Sequence, residues 1–328
     1  MKRINKIAII ILTYNRPESF KLTLRSVMLQ KKVDFHVFVF DNHSTYSLKE
    51  FTSGNKKVTY IRRRVNIGFA NNLRGAVSHV KRLDYLYAFL LSDDDLLAYP
   101  YVLYDLCKLM DGKKDVHVVR GGFADFVGYP PKVTRIITHD KELICKLAQM
   151  SEIEKALRLN INFYSGILFK LKLFDPYASK RDDLVTPFVV PLLKILVNKK
   201  FAFLTDKITV LAQTEHYQLA TRVYNQNYLT TDDMEEAFKI IGMPYQRKTT
   251  IYELINYKIY SQKPEYVKKY YLECFQVNKH LTKIPYVIIR VLPKSWLKIT
   301  KKLAQDILSF YSNLILSRYH PYVITSYV

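Results

Sequence analysis

Long apolar runs are missing from these 328 residues: nothing approaches the ~20 consecutive apolar residues that cross a bilayer as a helix. The one stretch that imitates a secretory leader, Lys2-Arg3 and then Ile7 to Leu12, has too short an apolar core. It runs into Thr13-Tyr14-Asn15-Arg16-Pro17 without a small-residue cleavage site, so a leader is rejected. Cysteine is scarce. Cys107, Cys145 and Cys274 are odd in number, far apart and free of any Cys-x-x-Cys pair, which argues against zinc and a disulfide framework and fits a reducing compartment. Glycine is absent beyond Gly242, and absent from Ile7 to Arg16, where a phosphate-cradling loop would need it. Acidic residues are few, 29 against 51 Lys and Arg, for a formal net charge of +22.

What is present is apolar material, 49% of the chain, enough for a large core. Ile7 to Leu12 and Phe35 to Phe40 are continuous β-branched, aliphatic or aromatic runs. A shorter one covers Val58 to Ile61, and Tyr85 to Leu91 reads as another buried strand. Between them lie helical spacings: Leu22 to Leu29 after Pro17-Glu18, Phe69 to Val80, and Tyr101 to Met110 after Pro100. Alternating strands and helices predict an α/β fold with a mainly parallel sheet covered on both faces.

In such sheets ligands bind beyond the carboxyl ends of the strands. Polar residues interrupt the apolar runs at those ends: Thr13-Tyr14-Asn15-Arg16, then Asp41-Asn42, then Ser92-Asp93-Asp94-Asp95. Three consecutive carboxylates repel one another unless a positive group stands among them, and a divalent cation on a diphosphate is such a group. A solvated acidic turn would explain the triplet alone. It does not explain three polar clusters converging on one edge.

Ile9-Ile10-Ile11-Leu12-Thr13-Tyr14-Asn15-Arg16 resembles the opening strand of family 2 glycosyltransferases with the GT-A fold. Asp41-Asn42-His43-Ser44 is similar to their second strand end, which grips the nucleobase. Asn66-Ile67-Gly68-Phe69-Ala70-Asn71-Asn72 is similar to the stretch opening the helix that closes over the nucleotide. Ser92-Asp93-Asp94-Asp95 occupies the place of the metal-binding Asp-x-Asp motif. The ordered set covers roughly residues 5 to 125. Ser92 stands where the family usually has Asp, and a small residue before three Asp looks most like the branch that includes abequosyltransferases.

The resemblance implies a GT-A fold with a nucleotide-sugar half at about 1–125 and an acceptor half at about 126–225; the basic, Tyr-rich composition and helical spacing beyond it read as a C-terminal helical extension over 226–328. The resemblance also implies Mn2+ or Mg2+ held by Asp94 and Asp95. Asp93 and Asp41 fall on ribose and base, Thr13, Tyr14 and Asn15 on the nucleoside, and Arg16 on phosphate, with Asn66, Gly68 and Asn72 completing the donor site. The family's general base is an acidic residue that opens a later helix. Lys180-Arg181-Asp182-Asp183 before Leu184 to Val197 fits, with Asp183 first, Asp182 next, and Asp125 and Asp175 behind them. A salt-bridged surface turn would explain the same four residues. His216, after Ile208 to Ala212, matches a histidine that completes the metal shell in the family. Gly121-Gly122 reads as a tight turn at a strand end, and Asn162 to Gly166 as a loop before a returning strand. Both segments are expected to face the acceptor.

From Ile241 to Val328 there are 14 Lys or Arg against 4 Asp or Glu, a surplus of ten, with dense tyrosine and a helical pattern over 281–316 broken at Pro285 and Pro293. Basic and aromatic residues together can mean nucleic acid, but no such motif appears. Lys residues interleaved with Ile, Leu, Val and Trp296 suit an anionic lipid surface better. A basic helix packed on the catalytic part is the plainer explanation. The expectation is a sugar transferase at the inner face of the cell membrane, acting on a lipid-linked saccharide of a surface polysaccharide. A nucleotidyltransferase and a nucleic-acid-binding protein are the alternatives. The first lacks its glycine-rich loop, and the second leaves Asp41 and Ser92 to Asp95 unexplained.

Overall fold

The computed structural model describes residues 7–128, 132–138, 143–150, 161–179, 181–182, 184, 186–214, 230–244, 258 and 291–303. At its centre is strand β1 (Ile7–Thr13), all seven residues buried. It is paired in parallel on one side with β2 (Phe35–Asp41) and on the other with β4 (Tyr87–Ser92). β3 (Val58–Arg62) extends the parallel set beyond β2. A strand with neighbours on both edges and helices on both faces shows no polar alternation, which is why Ile7 to Leu12 is uniformly apolar.

The period-two geometry divides those side chains. Ile7, Ile9 and Ile11 join Phe20, Leu24 and Val27 of α1 (Pro17–Met28) and Val102, Leu103 and Leu106 of α4 (Val102–Asp111). Ala8, Ile10 and Leu12 face the other way, onto Leu73, Val77 and Val80 of α3 (Gly68–Lys81) and Leu192, Leu193 and Leu196 of α5 (Val189–Asn198). Each such aliphatic side chain contributes roughly 1.5–3 kcal/mol by burial. A short α2 (Lys49–Thr52) lies between β2 and β3.

Beyond β4 the sheet continues through β9 (Ile167–Lys170), which runs antiparallel between β4 and β6 (Val116–Val127). β10 (Lys200–Gln213) then lies parallel to β6. The short β5 (Leu96–Leu97) pairs antiparallel with β10, and β7 (Lys132–Ile137) and β8 (Leu143–Cys145) pair with β6 and β10. The fold is therefore mixed α/β with a mostly parallel central sheet. Helix α6 (Thr230–Ile240) buries Met234, Ala237 and Phe238 in the cluster that holds α5. In the basic C-terminal stretch a helix over 294–303 starts directly after Pro293, as the break there predicts.

One expectation is overturned. Gly121 and Gly122 do not end a strand; they lie inside the continuous β6. They are glycines because β10 and the end of β7 approach too closely for a side chain. A Cβ on Gly121 would sit 2.2 Å from Thr209 Cγ2, and one on Gly122 would sit 3.0 Å from the Ile137 and Lys207 carbonyl oxygens.

Gly121→Ala is accordingly expected to destabilise the protein by about 1–3 kcal/mol through overpacking. Thr209→Ser, which removes the offending methyl, should recover a measurable part of that loss. Urea unfolding of the two single variants and the double variant reads the coupling; strict additivity would contradict the close approach.

Candidate active site

The register places the ends of three strands side by side: Thr13 opposite Asp41, and Leu12 opposite Ser92. At this edge the chain leaves β1 through Asn15 in the left-handed region (φ 56°), a conformation that Asn tolerates better than most residues. The Asn15 N–H donates to Ser44 Oγ (3.0 Å), and its Oδ1 accepts from the Thr45 N–H (2.8 Å), stapling the loop after β1 to the loop after β2. Asp41 is fully buried. Its Oδ1 accepts from the Ser44 N–H and hydroxyl (2.8 and 2.7 Å), and its Oδ2 from the Tyr60 hydroxyl (2.5 Å), with Arg62 Nε 3.7 Å away.

The triplet after β4 is almost wholly buried, Asp93, Asp94 and Asp95 being 4%, 7% and 4% exposed. The positive group it requires is Arg16, whose Nη1 donates to Asp93 Oδ1 (3.2 Å) and Asp94 Oδ2 (2.5 Å). Asp93 Oδ2 also accepts from the Tyr14 N–H (3.3 Å), and Asp94 Oδ1 from the Ser92 hydroxyl (2.5 Å). One guanidinium does not balance three carboxylates. Burial first, and the Asp94 charge second, push the Asp93 carboxyl up to about 7 against the opposing pull of Arg16. Asp95 is held well above the usual carboxylate range by the same two causes.

Asp95 was expected beside Asp94 as a metal ligand. Each of its oxygens accepts one hydrogen bond from the protein, from the Ser165 hydroxyl and from the Gln213 N–H at the end of β10 (2.9 Å). Asn72, expected on the donor, is 1% exposed and holds α3 to β2 by donating to the Phe40 carbonyl (3.2 Å) while accepting from Arg63 Nε (2.9 Å). Asn66 Oδ1 accepts from Asn42 Nδ2 (2.7 Å) and from the N–H of Gly68, whose φ of 77° gives α3 its sharp entry. Thr13 is buried, whereas Tyr14 is 45% exposed and presents its ring at the mouth of the site.

The segment carrying the candidate bases is tied down by a residue that sequence reasoning missed. Arg74 on α3, only 7% exposed, donates to the Asp182 carboxylate, to the carbonyls of Ser179 (2.9 Å) and Arg181, and to Asn71 Oδ1 (3.1 Å). Asp183 and His216 lie outside the described residues. Asp125 is buried within β6 and adds its charge to that on Asp95; Asp175 accepts from the Tyr177 N–H (3.0 Å) in an exposed turn. Tyr164, in the loop before β9, was also missed as an individual residue. Its hydroxyl is buried with no partner among the described residues, its ring meets Phe69 and Phe188 edge-on, and the Asp93 charge reaches it.

Residues 8–172 match the sequence profile of the family described as Glycosyl transferase family 2. The chain belongs to that family. Among solved structures it is similar to the mannosyltransferase PcManGT from Pyrobaculum calidifontis in complex with GDP-Man and Mn2+, at 14% identity over 95% of this chain and 88% of that one, with a TM-score of 0.54. It is also similar to S. aureus TarS 1-349 in complex with UDP-GlcNAc, at 15% identity over 93% and 89%, with a TM-score of 0.51. At these identities the likeness concerns the fold. No curated protein sequence matches the chain.

Among the described residues no three His, Cys, Asp or Glu side chains converge to form a closed metal site. The donor set that remains, Asp94 beside an under-neutralised carboxylate cluster, fits a hard cation that arrives with phosphate oxygens, since such ions take one or two carboxylates and complete their shell from the substrate. Arg16→Gln should therefore lower stability by roughly 1–3 kcal/mol, as charged acceptors lose their donor. Mn2+ should raise the unfolding temperature of this variant more than that of the wild type. Equal shifts would show that Arg16 does not stand in for a cation.

Proposed function

We propose that this member of glycosyl transferase family 2 moves a sugar from a nucleoside-diphosphate sugar to an acceptor hydroxyl with inversion, in the assembly of a cell-surface polysaccharide. The observation that carries the reading is the buried, under-neutralised triplet at the end of β4, in register with the ends of β1 and β2. GDP-Man with Mn2+ in one solved relative of this fold and UDP-GlcNAc in another support a nucleoside-diphosphate sugar as donor.

In this reading the exposed Tyr14 ring stacks on the nucleobase. The Asn15–Ser44–Thr45 staple and buried Asp41 hold the floor of the nucleoside pocket rigid. Asp93, fixed by Arg16 and the Tyr14 N–H, faces the ribose, and the hydroxyl of Tyr164 finds its missing partner on the donor. Asp94 would hold Mn2+ or Mg2+, which when bound neutralises charge on the departing diphosphate. Arg16, released from Asp94, adds a second positive charge there. Asp183 takes the proton from the acceptor hydroxyl. The new bond from that oxygen to the anomeric carbon forms opposite the bond to the diphosphate, which leaves with the electron pair. Arg74 fixes the direction of the segment through Asp182. Ser92 before three Asp points to the branch that includes abequosyltransferases, hence a hexose or deoxyhexose donor. The acceptor is a saccharide, lipid-linked and met at the inner face of the cell membrane.

Transfer assays on two variants test the assignment. Asp183→Asn should keep donor affinity near wild type and lower turnover by ~10²-fold or more, the scale of a lost general base. Asp182→Asn, which only loosens the Arg74 tie, should cost about tenfold or less and leave donor KM unchanged. Normal transfer by Asp183→Asn with a dead Asp182→Asn would move the base by one residue. Full activity in both would remove the base from this segment.

A further inference from the structure

The helix over 294–303 carries an apolar surface to which the proposed transfer reaction gives no role. Leu297 is buried (2% exposed) and anchors one side of the helix, while Trp296, Ile299 and Leu303 are 62%, 58% and 58% exposed. At 100° per residue these three fall within an arc of about 60°, so they form one stripe facing solvent, roughly a third of a turn from Leu297. Thr300 adjoins the stripe, and its hydroxyl is satisfied within the helix by the carbonyls of Trp296 and Leu297 (both 3.1 Å). Lys294, Lys298 and Lys302 are exposed on the remaining arc. Lys258, whose Nζ donates to the Leu292 carbonyl (2.6 Å), stands a further cation beside the start of the helix.

We propose that this helix seats the protein on an anionic lipid surface, independently of which sugar it transfers. Trp296, Ile299 and Leu303 enter the headgroup boundary, where an indole is at home, and the lysines meet lipid phosphate. The occupant follows from charge. The segment 241–328 carries 14 Lys or Arg against 4 Asp or Glu, so a second copy of the chain would repel this face while an anionic surface attracts it. Nucleic acid would meet the lysines but has no use for a contiguous Trp-Ile-Leu stripe. The contact is a surface one: no described helix is long and apolar enough to cross a membrane.

The chain has a single tryptophan, so its fluorescence reports Trp296 alone. With the full chain and phosphatidylcholine vesicles containing about one-third phosphatidylglycerol, the emission should shift to the blue and be quenched by brominated acyl chains. Both effects, and co-sedimentation, should weaken at high salt and be small with pure phosphatidylcholine. The double variant Ile299→Glu, Leu303→Glu keeps the reporter and alters only exposed positions. It should unfold at the wild-type temperature and bind these vesicles at least about tenfold more weakly. Co-sedimentation without bromine quenching, or equal binding by the double variant, would overturn the proposal. So would a blue shift that depends on protein concentration alone, which would mark self-association, or one produced by DNA in place of lipid.

Discussion

Three adjacent carboxylates at the end of a buried strand are an electrostatic liability that the surrounding chain is arranged to contain. No single partner suffices, because each removed charge must recover its lost hydration from groups fixed nearby. Asp93 and Asp94 share Arg16 from the loop after β1, with help from the Tyr14 N–H and the Ser92 hydroxyl. Asp95 draws on Ser165 before β9 and on the Gln213 N–H at the end of β10. Containing the charge therefore ties together the ends of β1, β4 and β10 and the loop that returns through β9. The cost is not fully offset, as the raised Asp93 and Asp95 carboxyls show. Under the proposed function, a cation arriving with a diphosphate would draw these carboxyls back toward their charged form.

The same accounting separates three neighbouring aspartates into different tasks. Asp95 faces inward and acts as a strut between strands. Asp93 and Asp94 share the guanidinium of Arg16, whose side chain is one-third exposed. Asp41, wholly buried, organises the loop after β2 through Ser44, Tyr60 and Arg62. On the other side of α3, Arg74 plays the reciprocal part, a buried cation gathering the carbonyls and carboxylate of the 179–182 segment.

Much of the fold was legible because its signals are local. The runs at Ile7, Phe35, Val58 and Tyr85 have the length and β-branched or aromatic content of strands, and Pro17 and the chain after Pro100 open helices as their restricted φ allows. Gly121 and Gly122 misled because the sequence shows a missing Cβ without showing what stands in its place; here it is Thr209 and two carbonyls from other strands. The strand ends that form the site could be placed from the apolar pattern. Which carboxylate oxygen meets which donor could not, since Ser165, Gln213 and Arg16 reach Asp93 to Asp95 across 70 or more residues of chain. Asn72 and Asp95 stand at family-like positions, and their protein partners, Phe40, Arg63, Ser165 and Gln213, were equally invisible in the sequence. Arg74 left no motif at all.

The central claim is that the edge formed by β1, β2 and β4 takes a nucleoside diphosphate together with a divalent ion. Titration calorimetry of the wild-type chain and of Asp94→Ala against a panel of nucleoside diphosphates, with Mn2+ and with EDTA, tests it directly. The account predicts that at least one diphosphate binds the wild type with Mn2+, loses most of its affinity in EDTA, and is equally weak toward a folded Asp94→Ala protein whatever the metal. Binding that is indifferent to both Mn2+ and Asp94, or no binding by any nucleoside diphosphate, would contradict it.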